Sequence, residues 1–300
     1  MIKNPPPWPE GARCAVGFSF DVDAELVVHA AHGPGALDLP HAIAHMRYDP
    51  AVGLPRLVDL FADHEIPLTC FVPGWVIDTY PDAVECILRP GRNEIAHHGH
   101  LHLSPNQHSL DAQRRELEEG TRRIEQVTGN PPRGYRAPYY AASRHTFDLL
   151  IEGGFDYDSS LFADDVPILL DSGRGSLVEL PVPASVDDYN QYVSSRAFDY
   201  LMKVSAPRHA LEVYQAEFDA MWELGGLWVT AWHPAVSGRP APALAVRDLI
   251  EHMLGKGEVW FATLGEIAAY VRRLIAEGSW APRIERVPLV AAPVVETAPE

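Results

Sequence analysis

Ala15-Val16-Gly17-Phe18-Ser19-Phe20-Asp21-Val22-Asp23 is a short apolar run that ends in two carboxylates. Such a run reads as a strand buried on both faces, with functional groups at its C-terminal end. The pattern returns along the chain. Leu68 to Val72 (LTCFV) is a second buried strand, closed by Pro73-Gly74, and Leu227 to Trp232 (LWVTAW) is a third. Shorter strand signals lie at Glu94-Ile95-Ala96, Gly134-Tyr135-Arg136, Phe155-Asp156-Tyr157 and Val259-Trp260-Phe261. Between them, helical spacing runs through Leu54, Leu57, Val58, Leu60 and Phe61, and over 75–89, 109–127, 143–153, 207–224 and 243–254. The last helix opens with Thr263-Leu264-Gly265-Glu266, a capping box in which each side chain satisfies an orphan backbone donor.

Strand and helix thus alternate about seven times, which predicts an α/β fold with a mostly parallel sheet. Closed into a barrel, such a sheet carries its active site at the C-terminal ends of the strands. Neither standard glycine-rich phosphate loop is present, so a nucleotide-binding doubly wound sheet fails on its fingerprint. Residues 24–50, rich in Gly, His and Pro, show no period and read as a long loop. Residues 160–206 read as irregular apart from a strand candidate at Leu177 to Leu180. From Gly278 onward Pro282, Pro288, Pro293 and Pro299 break any period. The expected organisation is one barrel domain over 1–277 and a Pro-rich tail over 278–300, either loose or laid over a neighbouring subunit.

Composition excludes several partners. Across 300 residues, 24 Lys and Arg face 41 Asp and Glu, a formal net charge of −17. That balance has no footprint for a phosphate backbone, so no nucleic-acid partner is expected. It equally disfavours an anionic membrane surface, and no stretch approaches the length of an apolar transmembrane helix. The first residues, Met1 to Pro9, hold no apolar run of the signal-peptide kind, and the expected location is cytoplasmic. Cys14, Cys70 and Cys86 are odd in number, widely spaced and set among apolar residues, so they read as buried thiols. Of the 14 histidines, ten (His29 to His108) lie in the first 108 residues, an excess that asks for a chemical reason.

The chemically suggestive residues fall at strand ends. Asp21 and Asp23 are two apart and share one face of a strand. His98 and His102 are four apart, and both rings reach one ion if the backbone turns helically there. Two neutral imidazoles and a carboxylate form a facial triad that leaves coordination positions open. Zinc in such a site acidifies bound water and polarises a carbonyl, as amide hydrolysis requires, and a second carboxylate can take the water's proton. His233, after the third buried strand and before Pro234, is placed to protonate a leaving nitrogen. Each element also has a plainer reading: two acids capping a turn, a His pair without ligand duty, a satisfied buried histidine. His97 and His100 compete with the chosen pair, with His97 expected to face the sheet. No H-E-x-x-H is present, which excludes a zincin metalloprotease.

Four motifs occur in a specific order: FDVD (20–23), NEIAHHGHLH (93–102), RGYRAPYY (133–140) and WHPAVSGRP (232–240). Together with FVPGW (71–75) and TLGEI (263–267), they resemble the polysaccharide deacetylase (NodB-homology) superfamily over roughly residues 15–275. More narrowly, they are similar to its cytoplasmic branch of peptidoglycan deacetylases, cofactor-independent allantoinases and cyclic imide hydrolases. The resemblance implies a single-domain distorted (β/α) barrel of about seven parallel strands. It makes Asp21 the general base, Asp23, His98 and His102 the metal ligands, and His233 the general acid. Arg136 enters from the resemblance alone, holding the base carboxylate ionised through its guanidinium. The family's D-D-G is here D-V-D-A, and its fourth motif has no clear counterpart, Asp156 and Asp158 being candidates.

The expected activity is therefore hydrolysis of a non-peptide carbon–nitrogen bond with a divalent metal, zinc first among first-row ions. Trp75, Tyr139 and Tyr189 are expected to bind substrate, roofed by 24–50 and by 185–196 (SVDDYNQYVSSR). Such a pocket suits a small cyclic imide or ureide, with N-deacetylation of an acetamido sugar as the alternative. A ligand-binding barrel without catalysis is the reading of another class, since fold alone does not decide function. A metal-dependent isomerase would want a lysine base, and Lys3, Lys203 and Lys256 lie beside no motif. A homo-oligomer is expected from the resemblance only.

Overall fold

Cys14–Asp21 (β1) is buried at every position and has three strand partners, which is what curls the sheet. In the computed structural model, which describes residues 1–194, 201–202 and 205–288, its middle lies parallel to Leu227–Val229 (β10). Its first residues pair with Val259–Phe261 (β11), and Phe18 to Asp21 pair with Leu68–Val72 (β2). The sheet continues through Glu94–His97 (β3), Gly134–Tyr135 (β4), Tyr157–Asp158 (β5), Ser176–Glu179 (β7), Ile168–Asp171 (β6) and Ile284–Arg286 (β12). All these pairings are parallel except that of β6 with β7. Val193–Ser194 (β8) and Leu201–Met202 (β9) form a separate antiparallel pair. The expected α/β architecture is observed as a curled, mostly parallel sheet, enlarged to ten strands among the described residues.

Helices Leu54–Asp63, Pro207–Leu224, Pro240–Lys256 and Leu264–Glu277 pack their apolar stripes on this sheet. Phe18 stands at the centre of one contact, its ring 4.7 Å from Phe61 and 5.5 Å from Trp228. A helix comes close at Gly17, where any Cβ would fall 2.4 Å from a Leu264 methyl. Thr263 and Glu266 form the capping box in both directions. Cys14, Cys70 and Cys86 are buried free thiols, and burial pushes Cys14 up to about 12.

Three expectations change. The helix expected over 75–89 is two, Gly74–Thr79 and Pro81–Leu88, because Pro81 lacks the N–H that would continue the first. Residues 24–50 are not a long loop: they form Leu26–His32, a 3₁₀ turn over Gly33–Asp38 and Pro40–Met46, and Asp49–Gly53 then turns into the next helix. These pieces are too short to show a period, and Val27, Val28, Ala36, Ala42 and Met46 pack together with Ala235. The boundary at 277 is also not observed. Trp280 is buried beside the N-terminal segment, its Nε1 donating to the Asn4 carbonyl at 3.3 Å, and β12 extends the sheet. The strand escaped notice because it is an edge strand with Ile284 exposed. Residues 289–300 of the expected tail, and Ser195 and Arg196 of the expected roof, lie outside the described residues.

Candidate active site

The side chains singled out by their spacing converge where β1, β3, β4 and β10 end. Asp21 closes β1, and two residues later Asp23 precedes Ala24, which holds a left-handed φ of 48°. Beyond β3, Gly99 (φ 76°) and His102 (φ 57°) let the chain double back, so His98 and His102 face one point without an intervening helix. Two supports hold this turn. Glu116 Oε2 accepts the N–H groups of His100 at 2.9 Å and Leu101 at 2.8 Å. His97, fully buried, donates from Nε2 to the Leu117 carbonyl at 3.1 Å while its Nδ1 accepts the Gly99 N–H at 3.0 Å. Burial pushes His97 down to about 3, and its ring lies against helix Leu110–Thr128, away from the ligand cluster.

Asp23, His98 and His102 are all buried, and one ligand atom from each lies within 4.8 Å of the others. Both histidine Nε2 atoms stand 3.4 Å from Asp23 Oδ1. His98 Nδ1 donates to the Arg136 carbonyl at 2.8 Å, which fixes the tautomer and leaves Nε2 as the free ligand atom. Burial holds His98 below its ordinary range against the pull of Asp21 and Asp23. Burial also opposes ionisation of Asp23, but His102, His98 and His233 hold its carboxyl well below the usual range. Asp23 Oδ1 is nevertheless buried without a hydrogen-bond partner. An orphaned carboxylate oxygen facing two imidazole nitrogens fits a divalent cation with borderline preference, and zinc satisfies that donor set.

Asp21 and His233 flank this cluster. Arg136, with no exposed surface, donates from Nη1 to Asp21 Oδ1 at 2.7 Å. Its Nε donates to the Ser159 carbonyl at 2.9 Å, its Nη2 to Ser159 Oγ at 3.1 Å and the Thr230 carbonyl at 3.4 Å, and its guanidinium lies 4.2 Å over the Phe71 ring. Asp21 Oδ2 points inward, 3.9 Å from His98 Nε2 and 4.0 Å from His233 Nε2. Sequence reasoning missed the group behind His233. Asp188 Oδ1 accepts from His233 Nδ1 at 2.7 Å, and its Oδ2 accepts the N–H of His233 at 2.9 Å and the hydroxyl of Ser237 at 2.7 Å. Burial works against charge on His233, but Asp188, with Asp23 and Asp21 behind it, raises it to about 10. These carboxylates favour the protonated form of His233, whose Nε2 faces the cavity.

That cavity, open to solvent at its mouth, spans about 650 Å³ and is lined by Asp21, Asp23, Val27, His98, His102, Ala137, Tyr139, Tyr140, Asp187, Tyr189 and His233. Tyr139 stands edge-on to His102 at 4.6 Å and Tyr189 edge-on to His233 at 4.2 Å, so both border the cavity beside the cluster. Trp75 does not line it. It packs against Tyr80 at 6.3 Å on the outer core, because Gly74–Thr79 turns that face away from the strand ends. Val27, rather than any histidine of 24–50, reaches the cavity from the roof. Asp187 and Tyr140 were also missed: Tyr140 donates to Asp187 Oδ2 at 2.8 Å, and burial raises Asp187 above the usual carboxylate range. The only signal for Asp187 and Asp188 was an acidic pair within the expected roof, 45 residues from His233. Neither Asp156 nor Asp158 lines the cavity: Asp156 pairs with Arg133 at the surface, and Asp158 is buried, accepting from Ser160.

Comparison with known proteins supports the resemblance carried by the motifs. The family model described as polysaccharide deacetylase matches residues 47–157. The peptidoglycan deacetylase of Helicobacter pylori is 28% identical over 276 residues, covering 83% of this chain and 94% of that protein. Among solved structures, PuuE allantoinase shares the fold, with a TM-score of 0.78 at 22% identity over 93% of this chain and 96% of that one. A Mycobacterium smegmatis protein assigned to the polysaccharide deacetylases superposes with a TM-score of 0.87. It is 39% identical, over 100% of this chain and 99% of that one. A likeness of that depth along the whole length shows that this chain belongs to the polysaccharide deacetylase family.

Proposed function

We propose that the protein is a metal-dependent hydrolase of non-peptide carbon–nitrogen bonds that acts on a small cyclic imide or ureide. The observation that carries this reading is the roofed cavity in which a carboxylate, an imidazolium and an orphaned ligand cluster meet. Asp23, His98 and His102 would hold the ion, which when bound acidifies water and polarises the scissile carbonyl. Asp21 is oriented by Arg136 with Oδ2 turned inward, so it takes a proton as water oxygen bonds to the carbonyl carbon. His233 Nε2 gives a proton to the leaving nitrogen as the carbon–nitrogen bond breaks, and Asp188 keeps that proton in place beforehand. Val27, Tyr139 and Tyr189 shield these transfers from bulk water.

Substrate size follows from the walls. Tyr139 and Tyr189 both border the cavity, aromatic walls that suit a planar ring, and the same fold serves a known allantoinase. A second reading, deacetylation of an acetamido sugar, is favoured by one feature. A wider groove of about 1110 Å³ shares His102, Tyr139 and Tyr189 with the cavity and runs on over Ser104, Asn106 and Gln107. A screen across cyclic imides, ureides and N-acetylglucosamine oligomers, with Asp21→Asn as the blank, separates the two. Turnover confined to the oligomers overturns the ring reading, and no turnover beyond the blank would leave a ligand-binding barrel.

The metal is tested directly. Protein purified without chelator should hold about one zinc or similar divalent ion per chain, and His98→Ala should lose it. A metal content unchanged by that substitution removes the ligand assignment. Among the described residues no helix is long and apolar enough to cross a membrane. We propose a cytoplasmic homo-oligomer taking a small-molecule substrate, with no nucleic-acid or membrane partner. A monomeric mass by light scattering would dispose of the oligomer.

A further inference from the structure

Asp49 is a fully buried carboxyl that the reaction above does not use. It opens the turn Asp49–Gly53, and its Oδ2 accepts the backbone N–H of Ala24 at 3.1 Å, while its Oδ1 has no hydrogen-bond partner. Ala24 is the residue after Asp23 and is itself fully buried in a left-handed conformation that disfavours any side chain with a Cβ. The N–H that Asp49 holds belongs to the peptide plane attached to the Asp23 Cα, so this bond sets how the Asp23 carboxylate is aimed.

The mount is rigid. A Cβ on Gly53 would fall 2.0 Å from the Pro234 carbonyl oxygen, so the turn presses backbone to backbone on the segment that carries His233. The same neck is clasped a second time, where Glu25 accepts from Arg47 Nε at 2.9 Å and from the Tyr80 hydroxyl at 2.7 Å. Asp49 is outside the group of buried residues whose ligand atoms converge. It touches Ala24 and acts on the ion only through Asp23.

We propose that Asp49 is the positioning residue for the metal ligand Asp23, holding the Asp23–Ala24 peptide in the orientation that binds the ion. The inference rests on the metal reading of the preceding subsection. Groups that orient ligands from behind are commonly worth 10–100-fold in metal affinity. Removing the Asp49 acceptor strands the buried Ala24 N–H, which costs about 1–3 kcal/mol whatever the ion does, so affinity is read beside stability and against a variant that keeps the acceptor.

The experiment measures zinc affinity of the metal-free full-length protein by competition with a chromophoric chelator, beside its thermal midpoint without metal. Asp49→Ala should weaken zinc binding at least about 10-fold, beside a metal-free midpoint lowered by about 2–10 °C through the stranded Ala24 N–H. Asp49→Asn keeps an oxygen that accepts the Ala24 N–H and should stay within about threefold of the unmodified affinity. Should Asp49→Ala not fold, Asp49→Leu removes the acceptor without leaving a cavity and carries the same expectation. Unchanged affinity in Asp49→Ala or Asp49→Leu overturns the proposal, as does Asp49→Asn binding as weakly as Asp49→Ala. His98→Ala measured alongside separates the two levels: if it too binds zinc normally, the metal reading has failed rather than this one.

Discussion

His233 owes its charge to Asp188, and that dependence can be read as a pH effect. Its folded value of about 10 lies above the ordinary 6.5 of an imidazole. Protonated His233 therefore stabilises the fold fully below about pH 6.5, and that contribution is lost as pH rises through about 10. Asp188→Asn removes the first-named attraction and should move the basic limb of kcat/KM toward neutrality, with about a 10- to 100-fold loss of kcat at pH 9. A basic limb unchanged in Asp188→Asn would remove Asp188 from this role. Arg136 is the other residue whose partner decides its meaning. With no exposed surface and a 2.7 Å bond to Asp21, it cannot be replaced by an apolar side chain without stranding a buried carboxylate. Arg136→Met should cost about 3–5 kcal/mol in urea unfolding as well as activity. From sequence alone Arg136 was an ordinary surface arginine, because nothing in RGYRAPYY says that the chain buries it against a strand 115 residues away.

The elements position the site through close backbone approaches, and these were the least legible features. Leu110–Thr128 was evident from its charged amphipathic period, but not that Gly120 lies against the histidine turn. A Cβ there would meet His97 Nε2 at 2.3 Å and the Gly99 carbonyl oxygen at 2.8 Å. Gly120→Ala should therefore destabilise by about 1–3 kcal/mol in urea unfolding, despite alanine's better helix propensity. It should also weaken metal binding, since Glu116 on the same helix holds the His100 and Leu101 N–H groups. The capping box at Thr263 was legible because it is local: both partners lie within three residues. Thr263→Ala should cost about 1 kcal/mol, read from the same titration.

At the scale of the whole molecule, residues 278–288 are part of the fold rather than an appendage. Trp280 fills a buried position beside Trp8, Leu274 and Val271, and β12 covers the edge of β6. Deleting residues 278–300 should lower the thermal midpoint by more than about 5 °C; an unchanged midpoint would restore the boundary at 277. The net charge of −17 speaks about partners and solubility, and it has no bearing on a site whose charges are buried and paired.

By itself the sequence determined the alternation of buried strands and helices, because apolar period and strand-ending carboxylates are local properties of 15–23, 68–72 and 227–232. It also determined which types of side chain sit at the strand ends: two carboxylates, two imidazoles and a third histidine. The tertiary structure alone decided which of them meet, that Asp188 stands behind His233, that Trp75 faces away from the cavity, and that 24–50 folds into a roof carrying Val27 and Asp49. Those outcomes depend on contacts between residues 25 to 115 positions apart. No spacing along the chain encodes such distances, because burial and the curl of the sheet set them.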